Sequence, residues 1–306
     1  MQTRQMLRVS ASQLISRIPD IRGRNRLAYL ANRVFLLNSS IDSTVEVTMR
    51  LGHRMIVDLR AYTECASFYT HDYDTQEIRS VLRMFKPEWV VLDVGANVGF
   101  WTIPMAKALG PAGRVHAFEP VSSNNLRLRE NVRLNGLQSI TEVHELGLSD
   151  RRATLQISLR EDFANGSGTG NASIVIDDSD GRFQCGMIEV DTLDKIFPSL
   201  NVKRLDFIKV DIEGHEDKFL TGASSTIGQF RPIIHMEINE PYYSRRGLDA
   251  TTVFEEWAKS AKYACGLRTS KGWRLRDLRH RKPVIDNVLA LPAERANEIL
   301  PQLDLT

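Results

Sequence analysis

The segment Val90-Val-Leu-Asp93-Val-Gly95-Ala-Asn97-Val-Gly99 carries an apolar run straight into a glycine turn. A glycine there permits a tight turn and lets backbone approach a ligand closely. Gly95 is read in that role, and Gly99 as opening the next helix where a side chain would crowd the ligand. The spacing D-x-G-x-x-x-G is not the G-x-G-x-x-G of a dinucleotide site. Glu119 closes the next apolar run, Arg114-Val-His-Ala-Phe-Glu119-Pro120, 24 residues after Gly95. An acid at that edge accepts hydrogen bonds from both ribose hydroxyls of a nucleoside; the plainer alternative is a surface carboxylate. A third run, Asp206-Phe-Ile-Lys-Val-Asp211-Ile-Glu213-Gly214-His215-Glu216, delivers Asp211, Glu213, His215 and Glu216 beside a glycine. Ionisable groups packed this densely suit proton transfer. Glu216 and Asp217 equally suit a helix N-terminus. In His235-Met-Glu237-Ile-Asn239, strand alternation puts His235, Glu237 and Asn239 on one face. His235 reads as a buried, satisfied histidine, and Glu237 as able to face Asp211.

These groups need strands that end at one edge, and the chain supplies them. Apolar runs at Trp89–Val94, Arg114–Phe118, Ile140–Leu146, Leu205–Val210 and Pro232–Ile238 alternate with helices at Phe100–Leu109, Ser122–Asn135, around Glu216–Leu220 and at Thr251–Ala261. Such alternation implies a doubly wound, parallel α/β sheet with helices on both faces. Ser122 is expected to cap its helix and Gly136 to stop it. Two last strands are expected near Tyr263–Leu267 and Val284–Leu291. Short β runs at Ala153–Leu159 and Ala172–Ile176 flank Asn165-Gly-Ser-Gly-Thr-Gly170, either a lip over a site or a plain hairpin loop. Ahead of the sheet, Leu14, Ile18 and Ile21, then Leu27, Leu30, Val34 and Leu37, recur at helical spacing and predict amphipathic helices with a solvated basic face. A β-hairpin follows over Val45–Leu59, turning at Gly52-His53. The expected division is an extension over 1–74 and a catalytic domain over 75–306.

The 306 residues are 42% hydrophobic and 25% charged, with a net charge of +2, which excludes collagen-like, disordered and coiled-coil chains. That balance does not suit a nucleic-acid binder driven by bulk charge. Cys65, Cys185 and Cys265 lie far apart, indicating neither a disulfide framework nor a zinc knuckle, and a reducing cytoplasm is the expected setting. No apolar stretch is long enough to span a bilayer. The N-terminal residues lack the apolar core of a signal peptide, so the Asn-x-Ser sequons at Asn38, Asn165 and Asn171 read as chance.

In order, VVLDVGANVGFWT, HAFEP, SNNLRLRENVRLNGL, ELGLSD, VDTLD, DFIKVDIEGHE and the later ME strand run over roughly residues 75–240. Together they resemble the FkbM family of S-adenosylmethionine-dependent methyltransferases. The resemblance implies a class I (Rossmann-like) methyltransferase sheet, mostly parallel with a C-terminal antiparallel strand, and O-methylation of a hydroxyl on a saccharide, polyketide or related metabolite. It implies that Asp93, Gly95, Asn97 and Gly99 cradle the methionine part of S-adenosylmethionine, that Glu119 holds the ribose, and that Ser149 and Asp150 flank the adenine. Asp211, Glu213 and His215 would face the methyl-transfer region. A sulfonium methyl is already activated, so the enzyme must align the acceptor and remove its proton. Asp211 is the first choice of base and His215, with an ordinary pKa near 6.5, the second. No metal is expected; the alternative is a cation on Asp211, Glu237 and Asn239. The expected partner is a small-molecule or glycan acceptor, chosen by Tyr62–Asp74, the 160–185 loop and the basic stretch Lys271–Lys282 around Trp273. Nucleic acid is not expected, and the oligomeric state is open. The rival readings are a methyltransferase acting on RNA or protein, a nucleotide-dependent oxidoreductase, and a non-catalytic ligand-binding domain.

Overall fold

The structure is a computed structural model that describes residues 2–19, 21, 23–36, 43–160, 162, 167, 169–176, 180, 183–269, 272–281 and 284–303. Asn38 and Asn165, with Leu37, Lys271 and Lys282, lie outside the described residues. Helices α1 (Gln2–Ser16) and α2 (Arg24–Leu36) lead to a hairpin of β1 (Thr44–Thr48) and β2 (Arg54–Asp58), then α3 (Tyr62–Thr70) and α4 (Thr75–Leu82). The alternation begins with β3 (Val90–Val94), α5 (Thr102–Leu109), β4 (Arg114–Phe118), α6 (Ser122–Leu134) and β5 (Thr141–His144). An insertion holds β6 (Gly147–Leu148), β7 (Ala153–Leu159), β8 (Ala172–Ile174) and β9 (Gln184–Asp191). After α7 (Leu193–Ile196) come β10 (Phe207–Val210), α8 (Glu216–Gly222), α9 (Ser224–Phe230) and β11 (Ile233–Asn239). The chain ends with α10 (Glu240–Arg245), α11 (Ala250–Ala261), β12 (Tyr263–Thr269), β13 (Gly272–Leu275), β14 (Ile285–Pro292) and α12 (Ala296–Leu303).

The main sheet has eight strands in the order β13-β12-β14-β11-β10-β3-β4-β5. β5, β4, β3, β10 and β11 are parallel, and β14 runs antiparallel between β11 and β12. This is the class I methyltransferase arrangement that the sequence resemblance implies. The chain builds outward from β3 through β4 to β5, then returns to β10 and builds the other way. The crevice between β3 and β10 is therefore the switch point at which open α/β sheets bind ligands. Apolar clusters cover both faces, with Val91, Val115 and Leu128 in one and Leu92, Ile208 and Phe219 in the other. Two buried faces explain why these strands read as unbroken apolar runs.

Several expectations change. Strand β9 pairs with β6 and β7 to complete a second sheet of four strands; Gly186 and an exposed Met187 hide its alternation. β13 adds an unread edge strand. Val121, not Ser122, is the N-cap of α6, and the Ser122 hydroxyl instead donates to the Glu145 carboxylate. Gly136 ends α6 with φ +69°, as expected. The largest change is in the N-terminal helices. Leu14, Ile21, Leu27, Leu30 and Val34 are exposed, while Ser12, Ile15, Arg24, Ala28 and Asn32 turn inward. Ser12 donates to the Phe68 carbonyl at 2.7 Å and Asn32 to the Leu59 carbonyl at 2.6 Å. Those bonds fix which stripe faces α3. No helix among the described residues is long and apolar enough to cross a membrane.

Candidate active site

A cavity of about 300 Å³ opens at the C-terminal edge of β3, β4, β10 and β11. Gly95, Asn97, Glu119, Asp211, Glu213 and His215 line it, as does Glu237. Asp93, Gly99, Ser149 and Asp150 do not. The opposite wall comes from the segment between α3 and α4, where Tyr73 stacks on Phe100 at 4.3 Å, and from the insertion, whose Ile157, Ile188 and Val190 present an apolar surface.

The glycine turn is held by the protein's own backbone. Gly95 has φ +79°, and a Cβ there would sit 1.9 Å from the Asp211 carbonyl oxygen. Gly99 has φ +103° and faces Leu128, 2.8 Å from where its Cβ would be, so it serves helix packing rather than ligand access. Between them Asn97 adopts φ +49°, a left-handed conformation that costs energy in any residue but glycine. That turn aims the Asn97 N–H at Glu119 Oε2, 2.8 Å away, while the Val121 N–H donates to Oε1 at 3.0 Å. Burial pushes Glu119 up to about 7, against the pull of those two donors. The Asn124 side chain is a further donor to this carboxylate, which still borders the cavity with acceptor capacity left.

The end of β10 is an acid cluster built around one lysine. Lys209 is buried, with its Nζ 3.2 Å from Asp211 Oδ2, 3.8 Å from Asp93 Oδ1 and 3.4 Å from the Gly95 carbonyl. Burial alone would lower its pKa, but Asp211 and Asp93 outweigh that and hold it above the ordinary value. Asp93 is fully buried and accepts a 2.5 Å hydrogen bond from Thr102, so it supports Lys209 from beneath the cavity. Burial, reinforced by the Asp211 charge, raises both Glu213 and Glu237. Glu213 is a second left-handed residue, at φ +54°. Gly214 does not leave room for a ligand: Tyr242 fills the space, 2.2 Å from where its Cβ would be. Glu216 is structural, since its Oε1 takes the Ile212 and Gly214 N–H groups and its Oε2 the Tyr243 hydroxyl.

His215 lines the cavity with its Nε2 2.9 Å from the Ser149 hydroxyl. Burial lowers its pKa to about 4, so the ordinary value that recommended it as a base does not apply. Asp150 pairs with Lys218 at 3.1 Å behind this wall. His235 is buried as expected, with its Nε2 bonded to Glu77 at 2.7 Å and its ring packed on Trp101, but it is only half satisfied, since its buried Nδ1 meets no hydrogen-bond partner among the described residues. Asn239 stands outside the cavity lining. The end of the glycine-rich stretch acts as a lip. Gly170 exchanges two hydrogen bonds with Asn124, and Asn171 bonds Asn97 at 3.3 Å. In the basic stretch, Trp273 is buried with its Nε1 on Ser80, while Arg279 pairs with Asp277 and Arg281 with Glu240.

Lys209 went unread as a site residue, and Tyr73 was read only as one member of the Tyr62–Asp74 span. A lysine inside an otherwise apolar, doubly buried strand was the available signal for the first. Nothing in that span singled out Tyr73, because its place depends on how the 71–74 turn docks against Phe100.

The sequence profile of the methyltransferase FkbM domain matches residues 93–264, more than half of the chain. The chain is 27% identical over 232 residues to the AMB antimetabolite synthetase AmbE of Pseudomonas aeruginosa, covering 65% of this chain and 10% of that protein. It therefore spans about a tenth of that relative. It is 25% identical over 205 residues to methyltransferase sdnD of Sordaria araneosa, covering 55% of this chain and 76% of that one. Among solved structures, a methyltransferase FkbM from Methylobacillus flagellatus is similar, at 20% identity and a TM-score of 0.46, over 75% of this chain and 53% of that chain.

Proposed function

The chain belongs to the FkbM methyltransferase family, and on that premise we propose that it transfers the methyl group of S-adenosylmethionine to a hydroxyl of a saccharide, polyketide or related metabolite. The observation that carries this reading is Glu119, a buried carboxylate that backbone donors hold at the cavity beside the Gly95–Asn97 turn. The residues fit the cofactor. Glu119 offers acceptors to a ribose, and the apolar wall of Leu148, Ile157, Ile188 and Val190 offers a face to an adenine. The carboxylate of Asp211 suits a sulfonium. In this assignment Ser149 and Asp150 act from behind, on His215 and Lys218, and Asp93 and Gly99 shape the turn.

When bound, S-adenosylmethionine supplies an electrophilic methyl that needs no further activation. Asp211 would take the acceptor's hydroxyl proton, the methyl passing to that oxygen as the S–CH3 bond of the bound cofactor breaks and leaves S-adenosylhomocysteine. Lys209 holds that carboxylate and spreads its charge. Glu213 and Glu237, raised toward the neutral form, hydrogen-bond and orient the acceptor. The ammonium of Lys209 stands among Asp93, Asp211 and Glu237 where a metal would otherwise balance the acids, which favours a metal-free reaction. Residues 1–74 act as an extension that contributes Tyr73 and Glu64 to the cavity of the 75–306 domain. Pairing of Arg279 and Arg281 with acids, and burial of Trp273, favour a small acceptor over RNA.

Calorimetry with S-adenosylhomocysteine and with NAD tests the cofactor. Binding of the former alone is expected; binding of NAD alone would replace this proposal with an oxidoreductase. Turnover with an acceptor should survive EDTA, and rescue of a chelated, inactive enzyme by magnesium would assign the acids to a metal.

A further inference from the structure

We propose that His116, Glu142 and His144 form a binding site for one divalent transition cation of the zinc type, at the β4–β5 edge and outside the methyl-transfer cavity. The backbone alone gathers these groups. β4 and β5 are parallel, with His116 opposite Glu142 and Phe118 opposite His144. Opposed residues, and residues two apart on a strand, share a sheet face. His116 Nδ1 lies 3.2 Å from His144 Nε2 and 3.6 Å from Glu142 Oε2, and all three donor atoms lie within 4.8 Å of one another. Zinc binds such atoms at about 2.0–2.2 Å, so the edges of its tetrahedron are about 3.3–3.6 Å. The three donors already span nearly one face of that tetrahedron. A hydrogen bond between the two rings accounts for one contact and leaves Glu142 without a bond to either; a cation engages all three.

Two imidazoles and a carboxylate suit zinc, whereas magnesium and calcium prefer oxygen donors throughout. His116 is buried, His144 half-buried and Glu142 exposed, so the fourth position faces water. The site has a structural consequence. The His144 carbonyl accepts from the Glu119 N–H at 3.0 Å and from the Asn125 amide at 3.1 Å. A cation here ties the end of the edge strand to β4 next to Glu119.

The test is titration of the chelator-stripped full chain with Co2+, read by the visible bands of tetrahedral cobalt, then with Zn2+ by displacement and thermal melting. One equivalent should bind, Zn2+ should raise the melting temperature, and His144→Ala and Glu142→Gln should each weaken binding by about tenfold or more. If His144→Ala does not fold, Glu142→Gln decides alone, since its side chain is exposed. Absence of uptake overturns the proposal. So does uptake unchanged in these variants, or uptake abolished by Cys185→Ser.

Discussion

All five residues of β3 are buried, whereas α2 turns Leu27, Leu30 and Val34 to solvent and Ala28 and Asn32 inward. Both segments carry clear apolar patterns, yet only in β3 does the pattern report the buried side. A central parallel strand has neighbours on both edges and helices on both faces, so every residue is covered and no choice arises. A two-helix extension has a choice, because either stripe could meet the domain. Hydrogen bonds from Ser12 and Asn32 to the carbonyls of Phe68 and Leu59 decide it, since a buried polar group left unmade costs more than an exposed leucine. The sheet edge also concentrates chemistry, with Lys209 among its carboxylates and left-handed Asn97 and Glu213. The inward face of the helices carries hydrogen bonds and an Arg24–Asp72 pair at 2.8 Å.

The contrast breaks most visibly at Asp211. Asp211→Asn should lower methyl transfer by about 10²–10⁴ while leaving S-adenosylhomocysteine affinity within a few-fold. Near-normal turnover would remove Asp211 as the base. At Glu119 the effect is smaller and falls on binding. The carboxylate also holds the Asn97 and Val121 N–H groups, so Glu119→Gln is the cleaner change. Loss of one charge-assisted hydrogen bond, about 1.5–3 kcal/mol, predicts cofactor binding roughly tenfold to a hundredfold weaker by calorimetry. Unchanged affinity would remove Glu119 from the ribose.

The helices should respond in the reverse sense to their hydrophobicity. Asn32→Ala leaves the Leu59 carbonyl without its donor and should cost about 1–3 kcal/mol in urea unfolding. Leu30→Ser should stay within about 0.5 kcal/mol, because Leu30 is 54% exposed. Equal losses would mean that the apolar face is covered in solution.

A last contrast lies in pH. His215 is held down to about 4, against 6.5 for the free side chain. The unfolded chain therefore binds a proton first, and the stability tied to neutral His215 is complete above about pH 6.5 and lost as pH falls toward 4. His215→Asn should flatten that acid loss by up to about 3 kcal/mol in melts run between those values. An identical acid limb in both proteins would show that His215 is not buried neutral.

Much of the site was legible because a parallel strand announces its own end. Gly95, Glu119 and Asp211 each stand where an apolar run stops, and all three line the cavity. Their neighbours were less so. Gly214 stands among the acids, but its missing Cβ accommodates Tyr242, a residue 28 positions later. Ser149 looked like part of the binding surface, but its hydroxyl faces His215. In both cases the deciding partner comes from another element, which local pattern does not encode.

From sequence alone came the alternation of strands and helices, the edge at which they end, and the family to which the motifs point. These follow from local patterns: apolar runs, turn glycines and terminal acids have meaning over a few residues. The tertiary structure decided which stripe of the N-terminal helices is buried, that the insertion closes into a second sheet over the cavity, and that Lys209 balances the acids. It also lowered the pKa of His215 and raised that of Glu119. Each of those depends on groups far apart in the chain meeting in a space with little water, where desolvation and pairing outweigh the preferences of a residue taken singly.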